Sequence, residues 1–80
     1  MASLRLFASA REAAGTGRDT VDGDTVDDVL AEAARRYGPA FAEVVANSRV
    51  WCNGEPATGD TPVCESDEVA VLPPVSGGAV

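Results

Sequence analysis

Residues 25–38 read TVDDVLAEAARRYG and carry the clearest helical pattern in the chain. Their apolar side chains recur three or four positions apart, which is the period of one face of an α-helix. Thr25 precedes the first of them, and a backbone N–H such as that of Asp28, three positions on, can donate to its hydroxyl. Two arginines suit the negative end of the helix dipole, and Gly38 ends the helix. The pattern predicts one amphipathic helix of about three turns, whose apolar face packs on strands.

Two segments near the ends of the chain alternate like strands that have one face on a core. Residues 3–7, SLRLF, turn both leucines inward and leave Phe7 on the outer side. Residues 68–72, EVAVL, turn both valines inward and leave Leu72 on the outer side. The pair Pro73-Pro74 ends the second strand, because neither residue can donate to a strand ladder.

A third alternating segment, residues 49–53, directs Trp51 outward if Val50 and Cys52 face the core. The dipeptide Asn53-Gly54 then predicts a tight turn. The other expected elements are a loop or short helical turn at residues 8–17, a short strand at 18–22 and a second short helix at 39–47.

The order of these elements describes an α+β roll, in which one main helix packs across a mixed sheet. If the first and last strands pair at the centre of the sheet, they run parallel, and the helical stretch supplies the crossover. That arrangement is the ubiquitin-like β-grasp. No repeat or linker divides the chain, so we expect one β-grasp domain at residues 1–75 and a flexible C-terminal arm at residues 76–80.

The composition excludes several classes of function. Eighty residues allow one small domain, which leaves little room for a deep active site. Thirteen acidic residues against six Arg, with no Lys and no His, give a formal net charge of −7. This balance argues against nucleic acid and anionic membranes as partners, because neutralising phosphates requires clustered basic groups. Without histidine, we expect no metal site, no bound cofactor and no free-standing catalysis.

The first ten residues lack the long apolar run of a secretory signal, so we expect a cytoplasmic protein. Thiols stay reduced in that compartment, and the separation of Cys52 and Cys64 matches no clustered metal motif. We therefore expect both cysteines to be small buried or half-buried side chains.

Several short segments, each common by itself, occur together in one order along nearly the whole chain. They are Leu6-Phe7-Ala8, Ala10-Arg11-Glu12-Ala13-Ala14-Gly15, Asn53-Gly54-Glu55, Asp67-Glu68-Val69-Ala70 and Leu72-Pro73-Pro74-Val75-Ser76-Gly77-Gly78. In this combination the chain resembles the small sulfur carriers of the MoaD/ThiS type, which include the small subunit of molybdopterin synthase and the thiazole carrier. The resemblance implies the same ubiquitin-like fold and a function that depends on the C-terminus.

The resemblance implies that Gly78 carries the working carboxylate. In such carriers an ATP-dependent adenylyltransferase similar to ubiquitin E1 adenylates the terminal glycine, and sulfur then displaces AMP to leave a thiocarboxylate. The large, MoaE-like subunit of molybdopterin synthase uses that sulfur to convert a cyclic pterin precursor to the dithiolene. The chain would then be a sulfur-donating subunit and not an enzyme on its own, and ATP would be used by the activating enzyme.

The residue types near the C-terminus suit this chemistry. Gly77 and Gly78 have no Cβ, so the chain end fits a narrow site that is closed to other residues. Pro73 and Pro74 stiffen the base of the arm and limit the entropy lost when it is inserted.

The chain departs from the family pattern at its end, because Ala79 and Val80 follow the glycine pair. Gly78 as written lies in a peptide bond and cannot be adenylated. Three explanations are open: a peptidase trims the chain after Gly78, the two residues were added artificially, or this member has lost transfer and kept only binding. We favour trimming or artificial addition.

Three outward apolar side chains define a candidate docking patch, because a small domain rarely exposes large apolar groups. The residues expected to bind partners, including those at the base of the arm, are Phe7, Trp51, Leu72, Pro73, Pro74 and Val75. If the first and last strands are neighbours, Phe7 and Leu72 lie close together. Acidic groups around the patch would steer it toward a basic partner surface.

Other functions share parts of this pattern. A carrier that serves cysteine, thiamine or another sulfur metabolite would use identical chemistry with a different partner. A protein-conjugating role would link Gly78 to lysines after the same activation step. A non-catalytic β-grasp interaction module would bind through the docking patch and would function without residues 77–80.

Overall fold

The computed structural model describes residues 1–74, which form five strands and three helices. In chain order these are β1 (Ala2–Leu6), α1 (Ala8–Ala14), β2 (Arg18–Val21), α2 (Val26–Tyr37), α3 (Pro39–Ala46), β3 (Arg49–Cys52), β4 (Glu55–Pro56) and β5 (Glu68–Leu72). The predicted boundary between a domain ending at residue 75 and an arm at 76–80 lies outside the described residues. None of the helices in residues 1–74 has the length and apolar character that crossing a membrane requires.

The strands form one mixed sheet in the order β2-β1-β5-β3-β4. The first and last strands, β1 and β5, pair in parallel at its centre, with Leu4 opposite Val69 and Leu6 opposite Val71. The other pairs are antiparallel. A parallel pair needs a long crossover, which the helix-containing stretch between the two strands supplies. The predicted α+β fold, a ubiquitin-like β-grasp, is confirmed.

Helix α2 begins and ends as the local sequence predicts. The Thr25 hydroxyl accepts a hydrogen bond from the Asp28 N–H at 3.2 Å, which satisfies one of the free donors of the first turn. The N–H of Gly38 donates to the Ala34 carbonyl at 2.8 Å and closes the last turn. The residues that α2 buries are Val26, Val29, Leu30 and Ala33.

The core lies between the helices and the sheet face toward them. The leucines of β1 and the valines of β5 are buried there, as predicted from their alternation. Val29 of α2 and Phe41 of α3 belong to the same buried cluster. The ring of Tyr37 packs edge-on against Phe41, with centroids 5.2 Å apart. The second short helix predicted at residues 39–47 is therefore α3, and it closes one end of the core.

The segment after β1 is more regular than predicted. Residues Ala8–Ala14 form a helix of seven residues where we expected a loop or a short helical turn. Four alanines favour helix there, and burial of Ala10 against the core stabilises it. Gly15 ends the helix with φ of 78°, and its N–H donates to the Arg11 carbonyl. The early start of α1 ends β1 at Leu6, one residue before the predicted strand end.

Candidate functional site

The register of the sheet places Trp51 and Leu72 on the face away from the helices, here called the outer face. Ala70 of β5 is opposite Arg5 of β1 on one side and Trp51 of β3 on the other. Leu72 is opposite Arg49. Paired residues share a face, and neighbours along a strand alternate, so these side chains lie opposite the buried valines of β5. The outward parity predicted for Trp51 and Leu72 is confirmed.

Trp51 and Leu72 meet at a groove that reaches the last described residues. This proline groove has a volume of about 500 Å³ and is lined by Asn47, Arg49, Trp51, Leu72, Pro73 and Pro74. Trp51 and Leu72 are half-buried, so each presents part of its apolar surface to the groove. The structure thus brings together four of the residues predicted to bind partners, at the point where the chain leaves β5 toward residues 75–80.

Phe7 lies just beyond the end of the β1–β5 ladder. The β1–β5 register ends at Leu6 opposite Val71, and the next residue of the chain, Phe7, is the N-cap of α1. Phe7 is 37% exposed, and the guanidinium carbon of Arg5 lies 5.4 Å from the centroid of its ring. At that distance the cation and the ring attract one another. Phe7 is therefore outward, as predicted, but it does not line the proline groove.

A second groove lies on the other side of the two prolines. It has a volume of about 450 Å³ and is lined by Ser9, Ala40, Glu43, Val44, Asn47, Pro73 and Pro74. Asn47 contributes to both grooves, and its Nδ2 donates to the Glu43 carbonyl at 3.0 Å. Pro73 and Pro74 therefore line two open grooves, one shared with Ser9 and α3 and one shared with the outer face of the sheet.

The charges on the outer face differ from those that we predicted. The charged strand residues on this face are Arg5, Arg18, Arg49 and Glu68. Arg5 and Glu68 form a loose ion pair at 4.0 Å. Positive groups therefore outnumber negative ones here, although the whole chain has a net charge of −7. The strand residues of this face therefore do not supply the acidic groups that we expected around the patch.

The acidic residues cluster around a different, open cavity. It has a volume of about 780 Å³, and the acidic residues lining it are Asp22, Asp24, Asp28, Glu32 and Glu65. Met1 also lines it, so it lies beside the beginning of β1, whereas the proline groove lies at the end of β5. Because β1 and β5 are parallel, these two sites are at opposite ends of the sheet. Acidic residues concentrate near α2 partly because its first turn favours negative charge.

A polar contact fixes the strand that leads to the proline groove. Asn53 and Gly54 have φ of 52° and 83°, as the predicted tight turn requires. Asn53 Nδ2 donates to Asp67 at 2.9 Å, and the Glu68 N–H donates to Asn53 Oδ1 at 2.9 Å. The hydrogen bond from Asn53, followed by one from the Cys64 N–H, holds the pKa of Asp67 below its usual value. The β3–β4 turn is thereby tied to the beginning of β5.

The cysteines show no arrangement for catalysis. Both are free thiols; Cys52 is half-buried as predicted, whereas Cys64 is exposed. Burial raises the pKa of the Cys52 thiol, and the nearby Asp67 raises it further, so this thiol is a poor nucleophile at neutral pH. Within residues 1–74 no group of three or more His, Cys, Asp or Glu side chains is placed to hold a metal ion.

Several predicted site residues lie outside the described part of the chain. These are Val75, Gly77 and Gly78, and the two residues that follow the glycine pair, Ala79 and Val80, lie there too. Sequence reasoning missed Asn47 and Arg49, which line the groove. Arg49 has the same outward parity as Trp51, a signal that could have identified it. Asn47 directly follows α3, and no sequence pattern around it indicates that it would line a groove.

The fold and the site together define a class of protein. It is a ubiquitin-like β-grasp domain with a partly apolar groove beside its last strand. The chain belongs to the ThiS family, whose model matches residues 4–78. The match covers the domain and ends at Gly78, before Ala79 and Val80. The resemblance to MoaD/ThiS-type sulfur carriers is thus confirmed.

Three solved structures are similar over nearly the whole chain. Small archaeal modifier protein 1 of Methanosarcina acetivorans is 33% identical with a TM-score of 0.86, and the match covers 96% of this chain and 95% of that one. The modifier protein 1 of Haloferax volcanii is 37% identical with a TM-score of 0.79, over 95% and 97%. A candidate molybdopterin converting factor subunit 1 of Pyrococcus furiosus is 27% identical with a TM-score of 0.76, over 92% and 97%. The chain is therefore a member of a group of small sulfur carriers and ubiquitin-like modifiers.

Proposed function

We propose that this chain is a sulfur carrier whose working group is the carboxylate of Gly78. The observation that carries the proposal is the family match, which extends from the domain through Gly78 and no further. The two grooves beside Pro73 and Pro74 support it, because they leave the base of the C-terminal segment accessible from two sides.

The proposed transfer has two steps. An oxygen of the Gly78 carboxylate attacks the α-phosphorus of ATP, which is bound to an E1-like adenylyltransferase, and pyrophosphate leaves. A hydrosulfide-equivalent donor then attacks the acyl carbon, and AMP leaves with the former carboxylate oxygen. The product is a thiocarboxylate at Gly78. The domain binds no cofactor in this scheme, and ATP is a substrate of the activating enzyme.

Because Ala79 and Val80 follow Gly78 in the sequence, the carboxylate of Gly78 becomes available only after cleavage behind it. A peptidase that cleaves after Gly78 would expose the necessary carboxylate. Gly77 and Gly78 suit both the peptidase and the adenylation site, since neither presents a Cβ to a narrow channel. Trimming is therefore part of the proposal for chains that carry Ala79 and Val80.

Partners would dock on the proline groove. Trp51 and Leu72 supply the apolar centre, and Arg49 lies at the same groove as a positive group. Interfaces commonly place aromatic anchors at the centre and charged groups at the rim. We expect the activating enzyme and a large synthase subunit to present an apolar surface with an acidic group opposite Arg49.

For the pathway we propose molybdopterin synthesis, with a MoaE-like large subunit as the sulfur acceptor. The similarity to a candidate molybdopterin converting factor subunit 1 supports this assignment. A carrier for cysteine, thiamine or another sulfur metabolite would use the same steps and a different acceptor. Co-purification with a large synthase subunit or with a cysteine-forming enzyme distinguishes these cases.

A second candidate function is covalent modification of other proteins. It is favoured by one observation: the two solved structures described above that exceed 30% identity are both named modifier proteins. The acyl adenylate at Gly78 would then react with a lysine amine of a target, and AMP would leave. This chain has no lysine, so it would not be its own target through a side-chain amine.

Intact-mass measurement tests the carrier function. A chain ending at Gly78 is incubated with the activating enzyme, ATP and a sulfide donor, and we expect a gain of about 16 Da as sulfur replaces oxygen. The chain ending at Val80 is the matched control and should gain nothing. A trimmed chain that binds the activating enzyme but never gains this mass would contradict the proposal.

The modifier function requires a separate readout. Proteins from the native cells are searched for lysines that carry the C-terminal glycines of this chain in an isopeptide bond. Such conjugates, together with normal molybdopterin levels in a deletion strain, would favour the modifier function. Loss of molybdopterin in that strain, restored by the chain ending at Gly78, would favour the carrier function.

A further inference from the structure

Strand β2 forms one edge of the described sheet, and side chains already form hydrogen bonds to its outward backbone groups. An edge strand normally presents unpaired N–H and C=O groups that can pair with another strand. The N–H of Leu6 donates to the Gly17 carbonyl at 2.9 Å, so Gly17 faces β1. Backbone groups of an antiparallel edge strand alternate between the partner and the free side. Arg18 and Thr20 therefore direct their N–H and C=O groups to the free side.

Thr16 occupies both backbone groups of Arg18. Its hydroxyl donates to the Arg18 carbonyl at 3.0 Å and accepts from the Arg18 N–H at 3.4 Å. One side chain thus provides both of the hydrogen bonds that the nearest residue of an added strand would provide.

Asp19 and Arg36 occupy both backbone groups of Thr20. The Thr20 N–H donates to Asp19 Oδ1 at 2.8 Å, and Arg36 Nη1 donates to the Thr20 carbonyl at 3.2 Å. The same Arg36 nitrogen donates to Asp19 Oδ2 at 2.8 Å, and the Tyr37 hydroxyl also donates to that oxygen. The carboxylate and the guanidinium are therefore held at the edge by residues of α2.

We propose that Thr16, Asp19 and Arg36 close the β2 edge to strand addition, so that a second copy of this chain does not pair there. An added strand would have to replace the hydrogen bonds that Arg18 and Thr20 already make, and it would gain no net hydrogen bond. It would also have to displace the Arg36 guanidinium from its carboxylate. Self-association through β2 is consequently disfavoured without any loss of sheet structure.

The opposite edge of the described sheet, strand β4, is protected against strand addition in a different way. Strand β4 has two residues, and one of them, Pro56, has no N–H to donate. Charged or proline-containing short edges are common protections against edge pairing. Partners of the described domain are thus directed to the outer face and to the proline groove, and away from the sheet edges.

The test compares the oligomeric state of variants over a wide range of protein concentration. The double variant Thr16→Val with Arg36→Met removes the hydroxyl and the guanidinium but keeps the side-chain volumes. Arg35→Met is the matched control, since Arg35 is exposed on the same helix and its side chain bonds to Glu32 and not to β2. In analytical ultracentrifugation we expect concentration-dependent dimers for the double variant only. Dimers of the unaltered chain that pair through β2, or a folded double variant that stays monomeric throughout, would overturn the proposal.

Amide hydrogen exchange in single variants decides the case if the double variant does not fold. In Thr16→Val the Arg18 amide should exchange roughly tenfold faster, the factor expected from loss of one hydrogen bond. The Thr20 amide should be unchanged in this variant and faster in Asp19→Ala. Equal Arg18 exchange rates in the unaltered chain and in Thr16→Val would show that the edge is open.

Discussion

Trp51 and Leu72 lie on neighbouring strands and line one groove, which ends at Pro73 and Pro74. The two side chains are far apart in the chain, and the antiparallel pairing of β3 with β5 brings them to the same face. The groove therefore exists only when both strands are in register. A partner that binds Pro73 and Pro74 through this groove would therefore contact Trp51 and Leu72 as well.

Trp51→Ala should weaken binding to the activating enzyme by roughly tenfold or more, because central aromatic residues dominate the binding energy of interfaces. The domain should stay folded, since Trp51 is only half-buried and faces away from the core. Isothermal titration calorimetry measures the affinity, and circular dichroism checks the fold. Phe7→Ala is the control, because Phe7 is a comparable exposed aromatic residue outside the groove. Equal losses in the two variants would contradict the assignment of the proline groove as the docking site.

Tyr37 should titrate unusually late. Burial, and then its hydrogen bond to Asp19, raise the pKa of Tyr37 to about 12. The raised value means that the neutral phenol stabilises the fold below pH 10, and that this contribution is lost as pH rises from about 10 to 12. Tyr37 is the only tyrosine, so its phenolate absorbance reports on it directly. Asp19→Asn should lower the midpoint, and the urea-unfolded chain should titrate near the ordinary value; a midpoint near 10 in the folded chain would disprove the contact.

Asp19 should contribute stability that is lost in acid. Hydrogen bonds from Tyr37 and then Arg36 hold the pKa of Asp19 below its usual value. The charged carboxylate therefore stabilises the fold above the unfolded pKa near 4, and this stabilisation disappears as pH falls through the lower folded pKa. The free energy of unfolding in urea, measured at several acidic pH values, gives the slope. In Asp19→Asn the slope should be shallower, and an unchanged slope would place its origin in other carboxylates.

Phe41→Ala should destabilise the domain by about 3–5 kcal/mol, because it removes the largest completely buried side chain. A domain of this size has a total stability of roughly 4–12 kcal/mol, so this loss removes a large part of the free energy of unfolding. Urea unfolding followed by fluorescence of the single Trp measures the change. Ala42→Gly is exposed on the same helix and should cost only about 1 kcal/mol. Similar losses in both variants would mean that helix propensity, and not core packing, holds α3.

The sequence pattern predicted correctly those helices and strands that depend mainly on neighbouring residues in the chain. Helix α2 has its Thr25 cap and apolar face at the expected positions, and β5 alternates as expected. For residues 8–14 the local pattern left a loop and a short helical turn both open, because the stability of the helix found there depends on burial of Ala10 against the rest of the fold. For the same reason Phe7 is the N-cap of this helix and not, as we predicted, the last residue of the strand.

The sequence by itself determined which faces of the strands and of α2 are apolar, because the spacing of side chains along one element sets that property. It also carried the glycine pair that links this chain to its family. Only the tertiary structure decided that Arg49 joins Trp51 and Leu72 at one groove, and that Arg36 of α2 reaches the edge of β2. These contacts join residues from different elements, and strand register and helix packing place them within reach of one another.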